Sequence, residues 1–366
     1  MTTMRAATIL NGEIEVREVS VPPPLGPGQV LVRVKSCGIC GSDLSMRRDP
    51  DRFVRVSREG GNTLSVFDPS LPVVPGHEFA GVIEEVGAGV EGLVLGDRVA
   101  GLGIVTDQGK GKASIIGYSN AYPGGFAELI VVDATWVRRL PDGISFDTAA
   151  LAEPLHVGEM HVQWSGYTAG DRALVIGAGT IGLGVVLALR ERGCEDITVV
   201  EPSPRRRALA SIMGSSRVAA PPTEGGPVAA LRDSPSRLLA FECSGRAGAL
   251  DELVRTLPRG SRIQVVASPF SEETFVPVIA QWHQLVINFG SGPLGDPYGT
   301  TLARLAAGRV DTDLLVTGHV DLEGVRQAFD DLRDPEQHVK ILVHPSGSEE
   351  REATPSPTAR TTKANR

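Results

Sequence analysis

Cysteine is scarce in this 366-residue chain, with four residues at positions 37, 40, 194 and 243. That is too few for a disulfide framework in a protein of this length, and it points to a reducing compartment in which thiols or metal ligands are the roles left. Long apolar runs are also missing: none reaches the roughly 18 residues that a membrane helix requires. The N-terminus, MTTMRAATILNGEIEVREVS, turns acidic where a secretory signal would be apolar, so a cytoplasmic protein is expected. Positive charge is not in excess either. The formal net charge is −8, which argues against a general affinity for nucleic acid or anionic membrane, and the run Arg205 to Arg207 is too short to overturn that. No internal repeat is visible.

What the chain does contain is glycine, 43 residues, within a composition that is 41% hydrophobic. Such a composition describes a globular protein with many tight turns. The length allows two domains, although one large domain also fits. From residue 4 to about 155 the pattern is short β-rich runs punctuated by Gly and Pro, such as GQVLVRVKSCG, FAGVIEEVGAGV and GFAELIVVDA, predicting a curled, mostly antiparallel sheet or small barrel. Within it, residues 46–75 show no sustained period and read as a long surface excursion, a candidate lid or substrate loop. Beyond residue 156 strands alternate with helices, the signature of βαβ units and a parallel sheet. From 294 the texture is mixed again, with helices at YGTTLARLAAG and LEGVRQAFDDLRD and a last strand at HVKILVHP. The expected division is therefore 1–155, 156–293 and 294–345, with a polar tail at 346–366 expected to be disordered.

The run LVIGAGTIGLGVV places Gly177, Gly179 and Gly182 in the spacing G-x-G-x-x-G, with Thr180 and Ile181 leading into a helix. The first glycine permits a tight turn, the second lets backbone approach a pyrophosphate, and the third lets the helix pack on the strand. The helix N-terminus then offers unpaired N–H groups and a positive dipole end. Glu201 stands where a carboxylate would accept both ribose hydroxyls and repel a 2′-phosphate, favouring NAD over NADP. Ser203, Arg205 and Arg206 argue the other way. The bland alternative is that the glycines serve only a strand-to-helix turn.

The stretch CGICGSDL, Cys37 to Leu44, admits three readings: a redox pair, half of a structural zinc clamp, or one metal thiolate beside a bystander. A clamp needs a second close pair, but Cys194 and Cys243 stand singly. A redox pair belongs at a helix start in a βαβ setting, whereas this one follows VLVRVK in the β-rich region. Cys37 is most simply a small buried apolar residue. His77 and Glu78 in VVPGHEFAG and Glu153 in LAEPLHVG are bland singly. Together with Cys40 they form the mixed thiolate, imidazole and carboxylate set that holds zinc while leaving a position open.

In order and approximate separation, GICGSD, PGHEFAGVIEEVG, GDRV, GGFAEL, EPL and GAGTIGLG resemble the zinc-dependent medium-chain dehydrogenase/reductase family, particularly its sorbitol, threonine and butanediol dehydrogenase branch. The resemblance runs from about residue 4 to 345. It implies an α/β fold in which a GroES-like β-barrel catalytic domain is interrupted by a Rossmann doubly wound parallel-sheet domain. It implies that Cys40, His77 and Glu78 ligate zinc, with Glu153 bound directly or through water, and that Glu78 can instead stand behind the ligands. Ser42 would bond the substrate oxygen and start a proton path, or cap the helix that follows; Asp43 would orient His77. Arg206 would flank the adenine ribose or belong to a solvated helix start, and the backbone of INFGSG would meet the nicotinamide carboxamide. The chain departs from the family by lacking the four-cysteine lobe between Glu78 and Gly124, so one catalytic zinc per chain is expected. Its interval from Cys40 to His77 is long, and Ser45 stands where many relatives have a proton-relaying His. The implied reaction is hydride transfer between a secondary alcohol, on a polyol, sugar or cyclitol, and NAD(P), in a homo-oligomer. Alternatives are a zinc-free NADPH-dependent alkene or quinone reductase and a non-catalytic nucleotide-binding protein.

Overall fold

The strand Gln29–Gly38 is buried or half-buried at every position. Along its middle, VLVRVK, apolar residues that face the core alternate with half-buried ones, two of them charged, and the strand pairs antiparallel with Glu78–Val86, Leu129–Asp133 and Lys340–Val343. The resulting seven-stranded sheet also takes in Arg98–Gly101, Val137–Arg139 and Val316–Val320. All its pairings are antiparallel except that of Val316–Val320 with Lys340–Val343. Its register sets Gly38 opposite both Glu78 and Leu342, so the end of the first segment, the start of the next strand and the last strand meet at one level. Gly38 has to be glycine there: a Cβ would lie 1.9 Å from Glu78 Oε2. The computed structural model describes residues 2–109, 111–221, 237–290, 292 and 294–346; the tail from 347, expected to be disordered, lies outside the described residues.

Six parallel strands form the second sheet, in the order Arg217–Ala219, Ile197–Val200, Arg172–Ile176, Leu238–Glu242, Arg262–Val265, Val286–Asn288. The chain winds outward in one direction and then in the other from Arg172–Ile176. The crevice at that switch point, beyond the strands' carboxyl ends, is where such sheets bind ligands. The helix Ala152–Trp164 links the two sheets. Leu151, which precedes it, and its residues Ala152 and Leu155 pack in one cluster with Ala80, Ala100 and Leu342 from the first sheet and Leu183 and Val185 beside the second. It meets the helix Thr180–Glu191 backbone to backbone, since a Cβ on Gly158 would lie 2.5 Å from the Gly184 carbonyl carbon.

Residues 46–75 are not the free surface excursion expected. They include a helix, Pro50–Glu59, capped by Asp49, whose carboxylate accepts from Arg52 N at 3.0 Å. Phe53, Val54 and Ser57 bury one face, and the Phe53 ring stacks on Phe270 at 4.3 Å and lies 5.1 Å from Tyr118. The helical period was masked because one of the three buried positions is a serine and the rest of the helix is dense in Arg and Asp. Among the described residues no helix is long and apolar enough to cross a membrane.

Candidate functional site

Cys40 sits where the central strand gives way to the helix Gly41–Arg48, and its backbone N–H donates to Asp43 Oδ2 at 3.0 Å. Glu78 opens the neighbouring strand and His77 immediately precedes it. Those two junctions bring one ligand atom each from Cys40, His77 and Glu78 within 4.8 Å of one another. His77 Nδ1 is buried without a hydrogen-bond partner and faces Asp43 Oδ1 at 3.7 Å, which leaves Nε2 as the ring nitrogen available to a metal. Burial opposes charge on His77, but the anions Asp43, Cys40 and Glu153 outweigh it and raise its pKa well above the ordinary value. Burial likewise raises the Asp43 carboxyl, against the opposing pull of His77. A thiol, an imidazole and buried carboxyls crowded together are a costly arrangement unless a cation neutralises them, so the donor set fits a zinc ion.

Glu78 is already engaged. Lys340 Nζ donates to Glu78 Oε1 at 2.8 Å, to Oε2 at 2.7 Å and to the Ile39 carbonyl at 2.8 Å, and both side chains are buried. Burial disfavours the Lys340 ammonium, but the Glu78 carboxylate raises its pKa nonetheless. Glu153, in the first turn of Ala152–Trp164, stands outside the 4.8 Å set yet within electrostatic reach of His77 and Glu78. Burial raises its carboxyl pKa, opposed by His156 and His77. The Cys37 side chain is fully buried behind the cluster, its sulfur packed against Gly76 and Gly125, and burial first, then Asp43 and Glu78, raises its thiol pKa well above the ordinary value. All four cysteines are free.

Ser42 does not cap the helix; Cys40 holds that position. The Ser42 hydroxyl accepts from Tyr118 Oη at 2.7 Å, and Tyr118 also lies 3.5 Å from Asp43 Oδ1 and 5.3 Å, centroid to centroid, from His77. Burial raises the Tyr118 phenol well above its ordinary pKa, so it remains a proton donor.

At the carboxyl end of Arg172–Ile176, Gly177 takes φ of 93° and a Cβ on Gly182 would lie 2.1 Å from the Gly177 carbonyl oxygen. Nothing stands within 4 Å of the space a Gly179 Cβ would occupy, leaving the backbone approachable at the start of the helix Thr180–Glu191. Ile181 packs toward the apolar core behind it. Glu201 Oε2 accepts from Ala178 N at 2.7 Å and Oε1 from Ser203 N at 2.9 Å, tying the second strand to the glycine turn. The arginines face backbone. Arg206 Nη2 donates to His338 O at 3.0 Å, Arg205 Nη1 to Gln337 O at 2.9 Å, and Arg207 Nη1 to Glu201 O at 2.7 Å. Arg206 is thus partly buried against the returning chain rather than solvated, and its pKa is lowered by that burial. In the INFGSG segment, Ser291 lies outside the described residues.

Residues 26–142 match the alcohol dehydrogenase GroES-like domain. The chain is 31% identical over 361 residues to a probable diacetyl reductase [(R)-acetoin forming] of Saccharomyces cerevisiae, covering 89% of this chain and 86% of that protein. It is 32% identical over 339 residues to the (R,R)-butanediol dehydrogenase of Bacillus subtilis, covering 88% of this chain and 94% of that one. The crystal structure of 2R,3R-butanediol dehydrogenase from Bacillus subtilis superposes with a TM-score of 0.78 at 30% identity, covering 93% of this chain and 99% of that one. The chain belongs to the zinc-dependent medium-chain dehydrogenases. This dehydrogenase has the α/β fold expected of it, and it is an NAD(P)-dependent alcohol dehydrogenase acting on secondary alcohols. Where the four-cysteine lobe would lie, it carries instead a two-stranded hairpin, Ile104–Asp107 with Lys112–Ile115. Two residues of its site escaped the sequence. Lys340 was signalled only by a cation within an apolar strand, HVKILVHP. Tyr118 lies in GYSNAYPGG, a run whose missing cysteines drew attention from its aromatic.

Proposed function

We propose that this dehydrogenase oxidises a small vicinal diol or polyol to the hydroxyketone with NAD as acceptor, using one catalytic zinc held by Cys40 and His77 together with Glu153, while Lys340 holds Glu78 back as a reserve carboxylate. What carries the reading is the buried convergence of Cys40 and His77 with two carboxylates, Glu78 in the same 4.8 Å set and Glu153 within electrostatic reach of His77, the latter on a helix that packs directly on the helix of the glycine turn. When bound, zinc supplies Lewis-acid polarisation of an alcohol oxygen. The chain's own residues do the rest. As placed, Tyr118 donates to Ser42, whose own proton then bonds a substrate oxygen, the sense that serves ketone reduction; for alcohol oxidation the hydroxyls turn the other way, so that Ser42 accepts the alcohol proton and donates to Tyr118 Oη, whose proton passes to Asp43 Oδ1 at 3.5 Å. Phe53, Phe67 and Phe270 cluster beside Tyr118 and contribute an apolar wall that excludes water.

The preference for NAD over NADP rests on Glu201, buried and fixed by two backbone donors. Ser203 Oγ accepts from Arg206 N, and the arginines bond carbonyls. A 2′-phosphate would meet that buried carboxylate at the end of the second strand. The substrate class follows the named activities of the two relatives above. A homo-oligomer and a cytoplasmic location complete the proposal. The test is steady-state kinetics on the purified enzyme with stereoisomers of 2,3-butanediol and with sorbitol, using NAD and NADP in parallel, beside metal analysis. Diol oxidation with kcat/KM at least about tenfold higher for NAD, and one zinc equivalent surviving dialysis, is expected. A preference for NADP would remove the cofactor assignment, and zinc-free protein that reduces enones would replace the whole reading.

A further inference from the structure

A second group of ligand-type side chains lies at the opposite end of the last strand. His344 follows Lys340–Val343, four residues beyond the lysine that bonds Glu78, or roughly 13 Å along an extended chain at about 3.3 Å per residue. His319 belongs to the parallel neighbour Val316–Val320, in register with Leu342, so the two imidazoles come onto one face and stack with centroids 5.3 Å apart at 29°. Asp147, in the short helix Phe146–Ala150, reaches across to both: Oδ1 lies 2.8 Å from His344 Nε2 and Oδ2 lies 3.0 Å from His319 Nε2. One ligand atom from each of the three falls within a 4.8 Å set. The Ser36 hydroxyl, fully buried and without a hydrogen-bond partner, lies close enough to Asp147 to favour its charged form.

We propose that Asp147, His319 and His344 form a second, exchangeable metal site for a divalent ion of the zinc and nickel class, separate from the catalytic centre. Two imidazoles and one carboxylate are ligands of intermediate softness, which suit zinc or nickel over calcium or magnesium. Three protein ligands leave positions for water, as an exchangeable site requires. Entry from solvent is open, since the His319 and Asp147 side chains are 32% and 33% exposed, while His344 at 10% forms the floor. Burial would raise the Asp147 carboxyl, but bonds from His319 and His344 outweigh it and hold it well below the ordinary carboxylate range, so the anionic ligand is present at neutral pH. An ion replacing the two shared N–H protons would join residues 147, 319 and 344, pinning the returning chain to the segment that leads into Ala152–Trp164. Because such an ion binds the folded chain, it would raise the unfolding temperature with its concentration.

The test titrates Zn2+ into dialysed holoenzyme that already holds its catalytic zinc, following heat and unfolding temperature. One further equivalent is expected, with binding weakened about tenfold or more by His319→Ala, a half-exposed position where truncation leaves the fold intact. Asp147→Asn serves as the second variant. Both variants retain NAD-dependent activity before titration. Co2+ at this site adds no thiolate charge-transfer band, whereas Co2+ at Cys40 does, which keeps the two centres distinguishable. Wild-type protein that takes up no further Zn2+, or His319→Ala that takes it up as tightly as wild type, overturns the proposal without touching the catalytic reading.

Discussion

Replacing Lys340 by Met removes three hydrogen bonds from one buried ammonium, two to Glu78 and one to the Ile39 carbonyl. Lys340 and Glu78 side chains are 5% and 0% exposed, so the orphaned carboxylate has no route to water. Breaking a buried pair from one side costs about 3–5 kcal/mol, most of it the burden of the remaining charge. The stranded carbonyl adds about 1–3 kcal/mol where it finds no other donor, although the two costs overlap. In metal-free protein Lys340→Met should therefore lower the unfolding free energy by about 4 kcal/mol. With zinc present the loss should shrink, because Glu78 then has a cation to turn toward. The double variant Lys340→Met with Glu78→Gln should recover much of the stability, since no charge is left unpaired. Urea unfolding of the three proteins, with and without zinc, measures each quantity. A single variant that loses less than about 1 kcal/mol, or a double variant no more stable than the single, would refute the claim that this pair is electrostatically closed.

Tyr118→Phe keeps the ring beside His77 and Phe53 but removes the hydroxyl that donates to Ser42; kcat should fall about tenfold or more with little change in KM, and an unchanged kcat would remove Tyr118 from the proton path. His161 is buried, and its Nδ1 accepts from Gln264 Nε2 at 3.0 Å; burial first, then the nearby His156, lowers its pKa from 6.5 to about 4. Because the folded pKa is the lower one, the stability this neutral imidazole contributes is present above about pH 6.5 and is lost as pH falls toward 4, amounting to about 2 kcal/mol between pH 7 and pH 5. His161→Gln should flatten that part of the stability profile in urea unfolding, and an equally steep decline in the variant would show that other groups cause it.

Much of the site was legible because its pieces are local. The glycine turn spans six consecutive positions, and its acid, Glu201, follows one strand later, so spacing alone exposes the cradle. Cys40 and His77 were legible as members of short ordered motifs. Long-range partners were not: Lys340 stands 262 positions from Glu78, and Tyr118 stands 76 from Ser42. Arg206 looked like a cation free for a phosphate until the returning chain placed the His338 carbonyl on it. The helix Pro50–Glu59 was hidden because its buried face includes a serine among charged neighbours.

The amino-acid order by itself determined the two textures, the turn that approaches a dinucleotide and the residue types able to hold a metal, since each is carried by short runs or motifs that can be read one at a time. Which carboxylate a lysine holds, and whether Asp147, His319 and His344 meet at all, were decided only when the last strand returned beside the first sheet, and what donates to Ser42 only when the segment around Tyr118 folded over it. Those are questions of charge and distance between remote segments, and sequence spacing carries no such distance.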